Sequence, residues 1–195
     1  MNNNRISPLR IFFASSGIIY VWSLPLLSEY GFTQKGSTSI SGFIANPPAT
    51  GAMAAISFMP LTLMWEFQDS VLEKEVKNNI RKKILTFTLS TFQFFYGSFL
   101  VCTETYVPLI LHQTTVTLFG LSFIFHSLMI INSVKVNTCT KILLNIGICA
   151  FGCLLFAQGM WFWAFECIGF SSMLLYTPVL WYTYKQPSVP LSIQK

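Results

Sequence analysis

The sequence predicts an all-α fold, a polytopic bundle of six transmembrane helices with both termini in the cytoplasm. Of its 195 residues, 53% are hydrophobic and only 10% are charged, a balance that soluble domains rarely show. Crossing a hydrocarbon core about 30 Å thick takes about 20 mainly apolar residues in a helix. Six stretches of the chain meet this requirement, and none of them contains lysine, arginine or aspartate.

The six predicted spans fill most of a single domain that covers residues 1–195. The first span follows two arginines, as a signal peptide would, but it continues to spanning length without a small-residue cleavage site, so we expect it to be retained. Each run is continuous and about twice the length of a barrel strand, which favours helices. The spans are predicted at 11–28, 48–67, 84–103, 109–131, 142–160 and 161–184.

Basic residues predict the orientation of the bundle. Eleven of the 12 lysines and arginines precede the first span, follow the last, or lie after the second and fourth spans, whereas Lys35 lies after the first. The positive-inside rule then places both termini and the two basic loops in the cytoplasm. The net charge of +5 thus reflects topology and at most attraction to anionic lipid head groups, and we expect no nucleic-acid partner.

The longest connection is the predicted exoplasmic loop "EYGFTQKGSTSISGFIANP", which is rich in glycine, serine and threonine. A loop of this size in a small protein either covers a functional region or simply joins two helices in water. Both interpretations stay open.

Several residues inside the spans have expected structural roles. Pro25, Pro60 and Pro178 should kink their helices while neighbours re-satisfy the freed carbonyls. Trp65 and Trp181 fall near the inner boundary, where tryptophan anchors helices. Two pairs of small residues favour close approach between helices: Gly51 with Ala55, and Gly147 with Ala150.

Four ionisable residues are the candidates for lipid binding or proton handling. His112 and His126 are fourteen residues apart, so on one helix they share a face and differ in depth by about 21 Å. Glu104 ends the third span, and Glu166 enters the sixth about one turn below the outer boundary. Because an ionisable group in hydrocarbon must be neutral, paired or wetted, we expect Glu166 and His126 to face the interior.

Glu104, His112 and Glu166 are predicted to converge at the exoplasmic side. Such a carboxylate–imidazole cluster would hold a polar lipid head group or move a proton. The alternatives are that Glu104 and His112 are merely solvated at the interface, and that His126 only bonds a neighbouring helix.

No recognisable catalytic motif is present, so no catalytic residue is assigned and enzymatic activity stays open, an accessory role being favoured. The histidine spacing is too wide for two ligands of one ion, and we expect neither a metal nor another cofactor. The five cysteines show no metal-binding spacing; Cys102 and Cys167 could meet near the outer face, and whether they pair is left open.

Two segments resemble a known family. "LHQTTVTLFGLSFIFHSLMI", which contains His112 and His126 and follows "TETYVP", resembles the post-GPI-attachment-to-proteins factor 2 group within the Frag/DRAM/Sfk-type membrane proteins. "FECIGFSSMLLYTPVLW", with Glu166 fifteen residues before Trp181, is similar to the last span of that family. Six spans and a sizeable first exoplasmic loop ending in "NPPATG" agree with it, whereas the first helix and the rest of the loop depart from it.

The resemblance implies lipid handling in secretory-pathway membranes. One branch of the family remodels the lipid of glycosylphosphatidylinositol (GPI) anchors, others regulate phosphoinositides or lipid asymmetry, and most members are accessory factors. We therefore expect an integral protein of the endoplasmic reticulum, Golgi or plasma membrane whose partners are phospholipids or GPI. The alternative is a non-catalytic scaffold or anchor subunit of a larger membrane assembly, such as a lipid-transfer complex.

Overall fold

The computed structural model describes residues 8–69, 76–103 and 107–185, and these residues form seven helices and no strand. Six helices are long, and one is a single turn in the predicted exoplasmic loop. In chain order they are α1 (Pro8–Glu29), α2 (Ile40–Phe43), α3 (Pro47–Phe67), α4 (Asn79–Val101), α5 (Leu109–Ser133), α6 (Thr138–Cys153) and α7 (Met160–Lys185).

Four of these helices contain segments long and apolar enough to cross a membrane: Ile11–Glu29, Asn79–Val101, Leu109–Ser133 and Met160–Trp181. This is consistent with an integral membrane protein. The start of the predicted span 142–160 lies within α6, but its end is wrong, because α6 has only 16 residues and ends at Cys153. A turn follows, and Gly159, with φ of 55°, precedes α7.

Asparagine side chains start three of the long helices. The side chain of Asn46 accepts a hydrogen bond from the amide of Ala49 at the start of α3, where two prolines occupy the first turn. Asn78 caps α4 and Asn137 caps α6 in the same way, each accepting from backbone amides of the first turn. These caps satisfy amides that no helical carbonyl can reach, and they fix where each helix begins.

The six long helices form a ring in the order α1, α3, α4, α5, α6, α7, in which α7 packs on α6, α1 and α3. Aromatic side chains fill the centre. Phe119 of α5 lies with its ring centroid 5.7 Å from that of Phe92 on α4 and 5.4 Å from that of Phe170 on α7. Contacts of this kind join the inner faces of three helices.

Polar groups lie inside the bundle and apolar groups outside. His112, His126 and Glu166 are buried, with several serines and threonines. Large apolar side chains project outward from the long helices, for example Ile19, Phe58, Phe87, Phe94 and Leu121, which are 56–68% exposed. A soluble domain avoids an apolar surface of this extent, whereas a bilayer requires one.

Pro25 lies inside a continuous α1, and a neighbour satisfies the carbonyl that it frees. Proline has no amide to donate to the carbonyl four residues earlier, that of Val21. The thiol of Cys167 on α7 donates to this oxygen at 3.4 Å. The prediction that a neighbour replaces the missing helical bond is confirmed at Pro25. Pro60 and Pro178 lie buried within continuous helices.

The two small-residue pairs differ in the structure. A methyl group added at Gly147 would lie 2.5 Å from the Ser172 hydroxyl and 2.9 Å from the Phe123 ring, so α6 approaches its neighbours closely there. A methyl group at Gly51 would meet nothing within 4 Å. The predicted close approach between neighbouring helices is therefore confirmed at Gly147. At Gly51 the prediction is wrong within this chain.

Candidate functional site

Glu166 and His112, two of the predicted cluster residues, are buried at the end of the bundle where α2 lies, being 2% and 4% exposed. Glu104, the third, lies outside the described residues. α2 lies between the two buried residues and bonds to each of them. We call Ile40, Ser41, Cys102, His112 and Glu166 the outer clasp.

Glu166 holds the first turn of α2. The amide of Ile40 donates to Glu166 Oε2 at 2.5 Å, and the amide of Gly42 donates to Ser39 Oγ at 3.0 Å. These amides have no helical acceptor because they open the helix. A residue from the last helix thus fixes the loop between α1 and α3 at a point 126 residues away in sequence.

His112 joins α5 to both the loop and the end of α4. Its Nδ1 lies 2.6 Å from the carbonyl oxygen of Cys102, which can only accept, so Nδ1 carries a proton. In the neutral ring Nε2 is then an acceptor, and the hydroxyl of Ser41 donates to it across 3.0 Å. The imidazole is thereby oriented by two segments that the sequence keeps far apart.

A cavity of about 360 Å³ opens beside the outer clasp. Ser39, Ser41, His112 and Gln113 form its polar end, and Phe162 of α7 lies opposite α5. A second cavity of about 140 Å³ has Val116, Thr117 and Phe162 in its wall as well and lies further along α5, beside Gly120, Leu121 and Ile124. We call the two together the α5 groove.

The α5 groove changes character along its length. Beyond the three shared residues, every residue that lines the second cavity is apolar or glycine: Gly120, Leu121, Ile124, Phe151, Gly152, Leu154 and Leu155. From Gln113 to Ile124 the groove spans eleven residues of helix, about 16 Å. This length is close to the thickness of the hydrocarbon in one leaflet of a bilayer. A groove of this length that is polar at one end and apolar at the other matches the layout of a membrane lipid.

His126 belongs to a separate, closed network. The hydroxyl of Thr88 donates to the carbonyl of Leu85 at 2.9 Å, so its oxygen accepts from His126 Nδ1 at 3.0 Å. Nε2 is then the acceptor for the hydroxyl of Tyr176, 3.1 Å away. The ring of Phe92 lies parallel to the imidazole, with 6.1 Å between centroids. We call Thr88, Phe92, His126 and Tyr176 the inner lock.

The inner lock joins α4, α5 and α7, and its residues line neither cavity of the α5 groove. His126 is 1% exposed and Tyr176 is likewise 1% exposed. Both imidazole nitrogens have partners, as a buried polar group requires. The inner lock therefore connects helices, whereas the outer clasp connects helices and also faces a groove.

The tryptophans expected near the inner boundary lie in helix contacts. Trp65 Nε1 donates to the side-chain oxygen of Gln93, and the amide of Gln93 donates to the carbonyl of Leu61 at 3.0 Å. This pair joins α3 to α4. The ring of Trp181 packs against Phe67, with 6.0 Å between centroids, and so joins α7 to α3.

Cys102 and Cys167 do not form a disulfide. Cys167 is buried and bonded to the Val21 carbonyl, and Cys102 contributes its carbonyl to His112. Among the residues that the structure describes, no group of three or more histidine, cysteine, aspartate or glutamate side chains could hold a metal ion.

Sequence reasoning missed the partners of both histidines. Ser41, Thr88 and Tyr176 are common residue types, and nothing in their local pattern indicates that they would bond an imidazole. Thr88 and Tyr176 do lie among the inward positions of α4 and α7, so helical periodicity could have suggested them. For Ser41 no such signal exists, because its position depends on the path of the loop.

Comparison of the chain with family models, curated proteins and solved structures gives no match. The family resemblance of His112, His126, Glu166 and Trp181 stays a prediction based on those residues.

Proposed function

We propose that this chain is a six-span membrane protein that handles a membrane lipid at its exoplasmic side. The polar end of the lipid lies against the outer clasp, and one acyl chain follows the α5 groove toward Ile124. The observation that carries this proposal is that the two cavities are neighbours along α5: they share Val116, Thr117 and Phe162 in their walls, and the first has polar residues where the second has apolar ones. Ligand sites commonly combine an apolar slot with a few placed polar groups.

The proposed topology uses α1 and α3–α7 as spans and α2 as part of the exoplasmic loop. Two spans depart from ideal length or hydropathy. α6 covers about 24 Å with its 16 residues, which a locally thinner bilayer or the following turn accommodates. α3 has 21 residues, and its prolines and hydroxyl side chains lower its hydropathy. The distribution of basic residues supports the cytoplasmic termini of this proposed topology.

The biological role we propose is lipid remodelling or phospholipid regulation in secretory-pathway membranes, with GPI anchors as the first lipid to test. The support is the family resemblance together with the position of its residues. His112 and Glu166 hold the loop that forms the polar end of the α5 groove. An accessory role, presenting or holding the lipid, is what the resemblance implies, although Ser41 Oγ and His112 Nε2 do lie 3.0 Å apart, the spacing of a nucleophile and its base.

Cellular lipid analysis tests this role. Cells that depend on this chain would carry Glu166→Gln or His112→Ala, with Glu66→Gln as a control because Glu66 is an exposed glutamate at the opposite end of the bundle. We expect altered acyl chains on GPI anchors for the first two variants and a normal profile for the control. Unchanged GPI and phospholipid profiles at equal protein levels would count against the proposal.

A scaffold role is the second candidate, and the outer face of α6 and α7 favours it. A groove of about 430 Å³ there is lined by Ile142, Ile146 and Phe165, with the exposed amide of Asn145 among these apolar residues. An amide on a lipid-facing surface is suited to a hydrogen bond with a partner helix. Purification in mild detergent tests this: a stoichiometric partner supports it, and a lone 22.1 kDa chain opposes it.

A further inference from the structure

We propose that Ser41 and His112 form a nucleophile–base pair that cleaves a carboxylic ester, with Ser41 as the group that takes the acyl chain. The α5 groove then processes a lipid as well as holding it. The substrate class, an acyl ester of a membrane lipid, rests on the proposed function, because the same groove binds it. The pair itself is inferred from the hydrogen bonds and the cavity around these two residues.

The bonds around His112 decide which atom of the pair carries a proton. Its Nδ1 donates to the carbonyl oxygen of Cys102 at 2.6 Å, so Nε2 is the acceptor in the neutral ring. Ser41 Oγ lies 3.0 Å from Nε2 and donates its single proton there, a shorter contact than the 3.3 Å to Ser39 Oγ.

This arrangement is that of an activated serine nucleophile. The serine hydroxyl donates to one imidazole nitrogen, and a third group holds the other nitrogen. In a Ser-His-Asp triad the third group is a carboxylate. The carbonyl of Cys102 fixes the orientation and the tautomer of the His112 ring in the same way, but it stabilises an imidazolium less than a carboxylate does.

The cavity gives a substrate access to the pair. Ser41 and His112 both line the cavity of about 360 Å³, and Ser41 is only 1% exposed, so a substrate approaches its hydroxyl through this cavity. An acyl lipid carries its ester between the polar end and the hydrocarbon chain. With the chain beside Leu121 and Ile124, the ester lies toward the end of the groove that Ser41 lines.

The inner lock shows why this access matters. The hydroxyl of Tyr176 likewise donates to an imidazole nitrogen, Nε2 of His126, across 3.1 Å. Both residues are 1% exposed, and they line neither cavity of the α5 groove. The bond between a hydroxyl and an imidazole is structural there, whereas the outer clasp presents such a bond to a space that a substrate can occupy.

The proposed reaction has two steps. Ser41 Oγ attacks the carbonyl carbon of the ester while its proton passes to His112 Nε2. The bond from that carbon to the alcohol oxygen then breaks, and the alcohol leaves with the proton from Nε2. In the second step a water molecule gives a proton to Nε2 and attacks the acyl-serine, which releases the fatty acid and returns the proton to Ser41 Oγ.

The oxyanion that forms in each step needs a hydrogen-bond donor. Gln113 follows His112 on α5, is exposed and lines the same cavity. Its side-chain amide supplies two N–H donors. Gln113→Glu replaces this amide by a carboxylate of similar shape, and we expect it to slow acylation of Ser41 at least about a hundredfold.

The test follows the acyl group with a simple ester. The full chain in lipid nanodiscs would be incubated with para-nitrophenyl octanoate, and mass spectrometry of its peptides would locate the octanoyl group. We expect the adduct on Ser41. His112→Asn keeps an N–H for the Cys102 carbonyl but has no base, and it should slow acylation at least about a hundredfold.

A cysteine substitution keeps the test valid if Ser41→Ala fails to fold. Ser41→Cys places a thiol beside the same base and should take the octanoyl group as a thioester. Ser37→Cys is the matched control, because Ser37 lies in the same loop but its hydroxyl bonds the backbone of Ser39. Position 37 should be acylated at least about tenfold more slowly, since a thiol without an adjacent base stays mostly protonated.

The outcomes separate this inference from the proposed function when photocrosslinking of a photoactivatable phosphatidylcholine to residues 109–124 is measured in parallel. Crosslinking without acylation at position 41 in either the wild type or Ser41→Cys would overturn the catalytic pair and leave lipid handling intact. Acylation that His112→Asn does not slow would also overturn the pair. Acylation without crosslinking would support the pair and count against lipid handling, and the absence of both would overturn both.

Discussion

His112 and His126 lie on the same buried face of α5, and each bonds two other segments of the chain, yet their surroundings differ. His126 is enclosed by Thr88, Tyr176 and the ring of Phe92. His112 bonds the loop and the end of α4 and also lines a cavity of about 360 Å³. One imidazole is sealed in the core, and the other forms part of a wall.

This difference shows that an ionisable residue within an apolar helix is insufficient evidence for a site. Both histidines satisfy the same sequence criterion. The cavity beside His112 gives a ligand somewhere to bind, whereas His126 is 1% exposed and lines neither cavity of the α5 groove. We therefore expect substitutions at the inner lock to affect stability, and substitutions at the outer clasp and groove to affect lipid binding.

The largest expected effect is that of His126→Ala. The change leaves a cavity between three helices and removes the acceptor of the Tyr176 hydroxyl, so we expect a loss of about 3 kcal/mol in unfolding free energy. Thermal unfolding in detergent measures it. Photocrosslinking of a bound lipid to residues 109–124, measured per folded molecule, should stay at the wild-type level. A variant that unfolds like wild type would show that the inner lock contributes little.

Gly147→Ala should lower the free energy of unfolding by about 2 kcal/mol. The added methyl group would overlap Ser172 and Phe123, and the Phe123 ring packs against Tyr176 of the inner lock. Gly51→Ala is the matched control, since a methyl group there meets nothing within 4 Å and alanine is the better helix former. Equal effects of the two substitutions on the unfolding temperature would contradict the packing described for α6.

Glu166→Ala should lower the free energy of unfolding by about 1–2 kcal/mol. We expect it to loosen mainly the loop that contains α2. Removing the carboxylate leaves the amide of Ile40 without the acceptor that starts α2. Hydrogen exchange should become faster at residues 39–43 and stay unchanged at the Thr88 end of α4. Unchanged exchange in α2 would show that Glu166 does not hold the loop.

His112→Ala should have the smallest effect on stability and lower the free energy of unfolding by about 1 kcal/mol. Its cavity can admit lipid or water that takes over the bond to Ser41, whereas the site of His126 offers no such access. Photocrosslinking of a bound lipid to residues 109–124 should nevertheless fall about tenfold, because losing the bond to Ser41 releases the loop that forms the polar end of the groove. A stability loss as large as that of His126→Ala would remove the distinction between the two histidines.

The helical class and the inward orientation of Glu166 and His126 could be predicted from sequence, because hydrocarbon restricts both backbone and charge. The end of α6 at Cys153 could not, since the apolar run continues through Leu154 and Phe156 and only the turn before Gly159 interrupts the helix. Length and hydropathy do not detect such a turn.

The candidate site was predicted only in part. Glu166 and His112 lie at the same end of the bundle, as expected, but α2 lies between them, and no local pattern in the loop indicated a single helical turn. Glu104 lies outside the described residues, so its part in the cluster stays a prediction. The α5 groove could not be foreseen, since a cavity depends on how α2, α5 and α7 pack.

The most direct test of the central claim is electron cryomicroscopy of the full chain in a lipid nanodisc, with a rigid binding protein to aid alignment. We predict elongated density along α5 from Ser41 past Thr117 to Ile124, and no extra density between His126 and Tyr176. A groove filled by protein side chains, or lipid density that lies only on the outer surface of the ring, would contradict the account.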